Sequence, residues 1–267
     1  MIKPQSEHWF QIEESPRRVR VASGGAMLAD SKHAMLMREA RRLPVYYFPK
    51  ADVRMDLMAE SGHRVRDPHK GEACFWTVRA GGKVAENAAW SYLSPPPECA
   101  AIKDYFSFEW GKMDHWYEEE EEIFVHPRDP YKRVDVLQSS RHVRIVVSGE
   151  TVADTQRPRI LFETNHPVRY YIPCDDVRME LLESSSTKSR CPYKGIASYW
   201  SVKIGDEHFP DLVWGYQEPI PECPKIKGLF CFFQEREATI YVDGEQVPVP
   251  ETNWSRGDGS RNRRSAT

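Results

Sequence analysis

Residues 46–55 read YYFPKADVRM, and residues 170–179 read YYIPCDDVRM. The same offset of 124 carries Val19-Arg20 to Val143-Arg144, Ala29-Asp30 to Ala153-Asp154 and Lys70-Gly71 to Lys194-Gly195. It also carries Trp76 to Trp200, Trp90-Ser91-Tyr92 to Trp214-Gly215-Tyr216 and Pro97-Glu98-Cys99 to Pro221-Glu222-Cys223. No gap interrupts the alignment, and about a third of the aligned positions are identical. The chain is a tandem duplication of a unit the size of a small domain.

Composition narrows the function classes. In 267 residues, 40% are hydrophobic and 12% aromatic, enough for a packed core. Net charge is -3, without the bulk basicity of a nucleic-acid binder, so no nucleic-acid partner is expected. No stretch approaches the ~18–20 apolar residues of a membrane span, so no membrane partner is expected either. Residues 1–18 contain no apolar signal region, and six cysteines are sparse for a disulfide scaffold. Reduced thiols and a cytoplasmic location follow as expectations. Asn253-Trp254-Ser255 matches a glycosylation sequon that such a location would leave unused.

The expected layout is an N-terminal extension (1–18), a first repeat domain (19–122), a structured linker (123–142), a second repeat domain (143–250) and a disordered tail (251–267). The linker holds Pro127 and Pro130 among ringed and charged residues, unlike a flexible tether. Glu118–Glu122, five glutamates in a row, reads as a solvated, self-repelling segment. Within each copy the signals are short and β-like. VRVASGGAMLAD forms a hairpin around Gly24-Gly25, and Phe75–Val78 and Ala88–Tyr92 flank Gly81-Gly82 as another strand pair. Asp243-Gly244 closes a further hairpin, and Asp52–Met58 is the one helical candidate, with Asp52 as N-cap. The reading is mainly β: two tandem copies of a small antiparallel β domain with minor helix.

The strings LFETNHPVRYYIPCDDVRMELL (161–182), CPYKGIASYWSV (191–202) and HPRDPYKRVDVLQSSRHVR (126–144) resemble domain-of-unknown-function family 427 in its tandem form. That resemblance implies two sheets meeting like a tent, with a pocket between them. The family's label also hints at nucleotidyl transfer. By the usual route that chemistry needs metal-binding carboxylates near a Gly-rich phosphate cradle. Neither G-x-x-x-x-G-K-[ST] nor G-x-G-x-x-G occurs in the chain. Copy one departs from copy two at Asp67-Pro68-His69-Lys70-Gly71, against Cys191-Pro192-Tyr193-Lys194-Gly195.

No C-x₂₋₄-C pair and no H-E-x-x-H is present, so no metal is expected, and no cofactor fingerprint appears. Trp200 and Trp214, with Tyr171 and Tyr193, offer either a β core or an aromatic cage for a planar ligand. Lys194 lies six residues before Trp200, an even number, so a regular strand would place both on one face. Arg178 serves either an internal salt bridge or an anion contact. In the linker, His126 could act as acid or base with Asp129 orienting it, while Arg128 and Arg133 hold an anion. The competing reading is an Arg–Asp clamp. Glu163 is either a salt-bridged carboxylate or a general acid with raised pKa. Cys99 and Cys223 read as buried apolar thiols rather than reactive thiolates.

The expected function is a small-molecule-pocket protein. It is read as a cofactor-free enzyme doing acid/base chemistry (isomerisation, cyclisation or hydrolysis) on an aromatic or heterocyclic metabolite. A non-catalytic small-ligand receptor and a protein-interaction scaffold are the alternatives. The better site by sequence is in copy two, with the His126–Arg133 loop on its rim.

Overall fold

The computed structural model describes residues 8–252, Trp254 and Ser255. The chain divides between Asp129 and Pro130 into two units, so the stretch 123–142 is shared between them.

The first unit contains β1 (Phe10–Glu14), β2 (Val19–Ser23), β3 (Ala26–Ser31), β4 (Met35–Glu39), β5 (Val45–Pro49) and β6 (Met58–Asp67). It continues with β7 (Gly71–Ala80), β8 (Lys83–Tyr92), β9 (Tyr105–Phe108), β10 (His115–Glu118) and β11 (Glu121–Ile123). These form a seven-stranded sheet, β1-β4-β5-β9-β8-β7-β6, and a four-stranded sheet, β11-β10-β2-β3. The expected hairpins are present. Gly24 and Gly25 take φ of 58° and 73°, and Gly81 and Gly82 take 54° and 80°, left-handed values that glycine adopts without a Cβ penalty.

Strand period explains the layering. In β2, Val19, Val21 and Ser23 are buried while Arg20 and Ala22 are not. On one face of the larger sheet Phe48, Trp76, Val78, Phe106 and Phe108 join Val19, Val21 and Trp116 of the smaller sheet in one core. The opposite face carries a second cluster around Tyr47, Phe75, Trp90, Tyr92 and Ile102.

The second unit repeats this plan with β12 (Val134–Gln138), β13 (Val143–Val147), β14 (Glu150–Thr155), β15 (Arg159–Glu163), β16 (Arg169–Tyr171) and β17 (Leu182–Cys191). β18 (Gly195–Ile204), β19 (Glu207–Pro219), β20 (Phe230–Phe232), β21 (Ala238–Val242) and β22 (Glu245–Gln246) complete it. Sheets β12-β15-β16 and β17-β18-β19-β20 are joined where Ile172 and Phe230 exchange backbone hydrogen bonds of 2.8 and 2.9 Å. The third sheet is β14-β13-β21-β22, with Asp243-Gly244 in its last turn. β1 and β12 stand at the same offset of 124, so each repeat begins with a strand upstream of Val19 and Val143.

Two local expectations change. Asp52–Met58 is not an α-helix: Lys50–Asp52 and Met55–Leu57 are separate 3₁₀ turns. Val53 between them is extended and bridges Ala29, and Asp52 accepts from Ser31 Oγ at 2.6 Å instead of capping. The glutamate run is not a free segment either. It forms the β10–β11 hairpin, and Arg18, just before β2, and Arg20 on β2 pair with Glu120. Glu118 is buried, accepting from Tyr46 Oη at 2.9 Å and Arg17 Nη1 at 2.6 Å. Opposite charges from the neighbouring strand offset the self-repulsion.

No described helix is long and apolar enough to cross a membrane. The six cysteines are unpaired. The tail from residue 256 and Asn253 of the sequon lie outside the described residues.

Candidate functional site

β6 ends at Asp67, and Pro68 prevents the strand from simply continuing. Asp67 Oδ1 then accepts the backbone N–H groups of His69 and Lys70, each at 2.9 Å, folding the turn onto itself. Gly71, at φ 89°, turns the chain into β7. The turn delivers Lys70 Nζ to Glu39 at the end of β4, 2.7 Å from Oε2, and to Asp67 Oδ2 at 2.9 Å. All three side chains are buried, at 4%, 6% and 4% exposure. Arg42 stands 3.3 Å from Glu39 and 3.6 Å from Asp67. His8 Nε2 lies 3.7 Å from Glu39 Oε1, and its ring stacks on His69 with centroids 3.5 Å apart.

A cavity of about 160 Å³ opens beside this cluster. Glu39 and Lys70 line it together with Tyr47, Phe75, Trp90 and Tyr92. A cavity of roughly 150 Å³ with apolar walls accommodates one benzene ring, so this space has the size of a single-ring ligand. Tyr47 and Trp90 meet edge to face at 6.4 Å, fixing one wall.

The electrostatics follow from burial and pairing. Burial alone would raise the Asp67 pKa, but hydrogen bonds from Lys70 Nζ and from the His69 and Lys70 amides outweigh it and hold the carboxyl below its ordinary range. Burial pushes the Tyr47 and Tyr92 hydroxyls up, so both are neutral proton donors at pH 7. Burial also raises the Cys99 thiol to about 11, and Cys223 likewise to about 11. Neither thiol is a thiolate at neutral pH.

The second unit rebuilds the cluster with different neighbours. Lys194 Nζ meets Glu163 Oε2 at 2.5 Å, and Lys132 Nζ meets Glu163 Oε1 at 2.9 Å. Lys132 also lies over the Tyr193 ring at 5.0 Å. Burial would raise the Glu163 pKa, yet Lys194, His166 and Lys132 together lower it. Glu163 is therefore an ionised, salt-bridged carboxylate and not a general acid with raised pKa. Where the first unit has Val45, the second has Arg169, which pairs with buried Glu235 at 2.7 Å and lies over Trp214 at 5.3 Å. The Tyr171 and Trp214 rings meet edge to face at 6.5 Å.

The residues named from sequence fall in several places. Lys194 and Glu163 come together, and Tyr193 joins them through Lys132. Trp200 lies elsewhere: it is partly buried and packs edge-on against Phe230 at 4.8 Å, against the second unit's core. Lys194 precedes β18 and sits in a turn, with Gly195 at φ 104°, so an even spacing to Trp200 does not set a common face. Arg178 pairs with Glu180 at 2.8 Å and with Glu150. Arg133 pairs with Asp135 at 2.7 Å. In the first unit, His126 Nδ1 is 2.6 Å from the Pro127 carbonyl, Arg128 donates its amide to Glu118 at 3.4 Å, and Asp129 is 3.6 Å from Arg38. From the linker, Lys132 reaches the second unit's cluster through Glu163. His8 and Asp67 were missed by sequence reasoning, although the offset of 124 pairs His8 with Lys132 and would have found it.

Residues 11–119 and 135–245 each match the family described as Domain of unknown function (DUF427). The chain belongs to that family. Its two family segments begin 124 residues apart, in β1 and β12, so the repeat unit includes the strand that precedes each first hairpin. No curated protein matches the chain.

Proposed function

We propose that this DUF427 chain is a small-molecule-pocket protein whose first unit binds a single-ring aromatic or heterocyclic metabolite. The observation that carries the reading is the placement of buried Lys70 at an aromatic-walled cavity of about 160 Å³. Pockets of this kind combine apolar walls with a few fixed polar groups that orient the ligand. A lysine ammonium has three donors. Glu39 and Asp67 take two, and the third is available for an acceptor on the ligand.

The chemistry proposed is cofactor-independent acid/base catalysis, such as isomerisation, cyclisation or hydrolysis. Lys70 would hold a carbonyl or carboxylate oxygen, and the neutral Tyr47 or Tyr92 hydroxyl would donate a hydrogen bond to charge developing on the substrate. A non-catalytic receptor is the second reading, favoured by one observation: both carboxylates are committed to Lys70 and are poorly placed to accept a substrate proton. A cytoplasmic location belongs to the same proposal, supported by six unpaired cysteines.

Ligand-observed NMR in D₂O with a panel of one-ring aromatic and heterocyclic metabolites tests this. Binding with conversion or solvent-deuterium uptake supports the enzyme, and binding alone supports the receptor. Absence of binding across the panel overturns the pocket reading.

A further inference from the structure

We infer that the first unit's cavity selects single-ring carboxylates, and that His8 sets this selectivity by gaining or losing a proton. The inference rests on the small-molecule reading of the same cavity.

The two units share the lysine–glutamate pair and differ around it: His8, Arg42, Asp67 and His69 stand where the second unit has Lys132, His166, Cys191 and Tyr193. Position 8 becomes 132, position 69 becomes 193 and position 39 becomes 163 at the common offset. His8 stacks on the His69 ring and faces Glu39; Lys132 lies over the Tyr193 ring and faces Glu163. The second unit therefore has a permanent cation where the first has an imidazole, the side chain whose charge ordinarily changes between about pH 5 and 8.

Charge decides what the first cavity accepts. The groups facing His8 are His69 on the turn, Glu39 at the end of β4, Lys70, and Asp67 at the end of β6. Arg42 reaches Glu39 and Asp67 from the loop after β4. With His8 neutral, Lys70 and Arg42 are balanced by Glu39 and Asp67. A ligand carboxylate then meets no excess positive charge. Protonated His8 takes part of the Glu39 charge and tips the cluster positive. Lys70 is left with its third donor and less competition for it. A neutral ring gains nothing from the change. His8 acts through Glu39, which lines the cavity, and is a positioning residue. Burial first, and then the charge on His69, push its imidazole down, so the switch lies on the acid side of the ordinary imidazole value in the free protein.

Calorimetric titration of the full chain with benzoate and with neutral benzamide, from about pH 8 to about pH 5, tests the inference. Benzoate affinity should rise about two- to fivefold as pH falls, the size of one added charge interaction at a partly exposed site, while benzamide stays flat. His8→Lys should bind benzoate at the low-pH affinity throughout, and His8→Gln at the high-pH affinity throughout. If benzoate binds with the same affinity at both ends of the range, the inference fails and the pocket reading stands. Loss of the pH dependence in His69→Gln with its retention in His8→Gln would overturn the assignment to His8. If neither probe binds at any pH, both readings fall.

Discussion

Lys70 and Glu39 meet at 2.7 Å across 31 residues of sequence, and Lys194 and Glu163 meet at 2.5 Å across the same 31. In both units the carboxylate closes the β4-type strand and the lysine closes the turn before the β7-type strand. The pair ties two strands of the larger sheet together at the point where the cavity forms in the first unit.

Removing one partner should therefore be costly. Lys70→Met removes the buried cation between Glu39 and Asp67 and leaves them the more exposed Arg42, and breaking a buried pair in this way costs up to about 3–5 kcal/mol. Urea unfolding of the full chain should show the first unit destabilised. The double variant Lys70→Met/Glu39→Gln should recover part of the loss. An unchanged midpoint for Lys70→Met would remove the pair from the account of stability.

Acid should weaken both units through the same carboxylates. The Asp67 and Glu163 pKa values are lowered in the folded state, so each contributes stability that is complete above the ordinary carboxylate range. That contribution is lost as pH falls through the folded value, below about pH 4. Melting temperature should decline on acidification across that window, and Asp67→Asn and Glu163→Gln should each flatten the decline.

Arg169 and Glu235 are the second unit's replacement for Val45 and Gly111 of the first. Their side chains are 10% and 0% exposed, so either single substitution leaves a buried, unpaired charge. Arg169→Val alone should cost about 3–5 kcal/mol, and Arg169→Val/Glu235→Gly should cost less than the sum of the singles. A double-mutant cycle on denaturant unfolding reads the coupling. Strict additivity would contradict a direct pair.

Adjacent aromatic residues on β7 should separate stability from binding. Trp76 packs into the core against Phe106 at 4.8 Å, whereas Phe75 lines the cavity. Trp76→Ala should lower stability by about 3–5 kcal/mol. Phe75→Leu should leave the fold intact and weaken binding of a ring ligand, measured by the same titration as above. Equal binding by Phe75→Leu and wild type would place the ligand elsewhere.

The offset of 124, the glycine pairs and the alternating strands were legible because duplication, turn conformation and strand period are written in consecutive residues. They sufficed for the mainly β tandem architecture. Local pattern failed at Asp52–Met58, where Ser31 captures the Asp52 carboxylate and the Val53–Ala29 bridge holds the chain extended. It failed again at Lys194, because a parity argument along a strand does not survive a turn with Gly195 at φ 104°.

The sequence by itself determined which residue types recur: a lysine, a glutamate and an aromatic set in each copy, at matched positions. Only the tertiary structure decided their meaning, because the contacts that give Lys70 its carboxylates and Arg169 its partner join strands far apart in the chain. Whether position 45 or 169 carries a valine or an arginine is one letter in the sequence. In the folded unit the arginine brings a guanidinium over the Trp214 ring, on ground that Val45 leaves to the cavity.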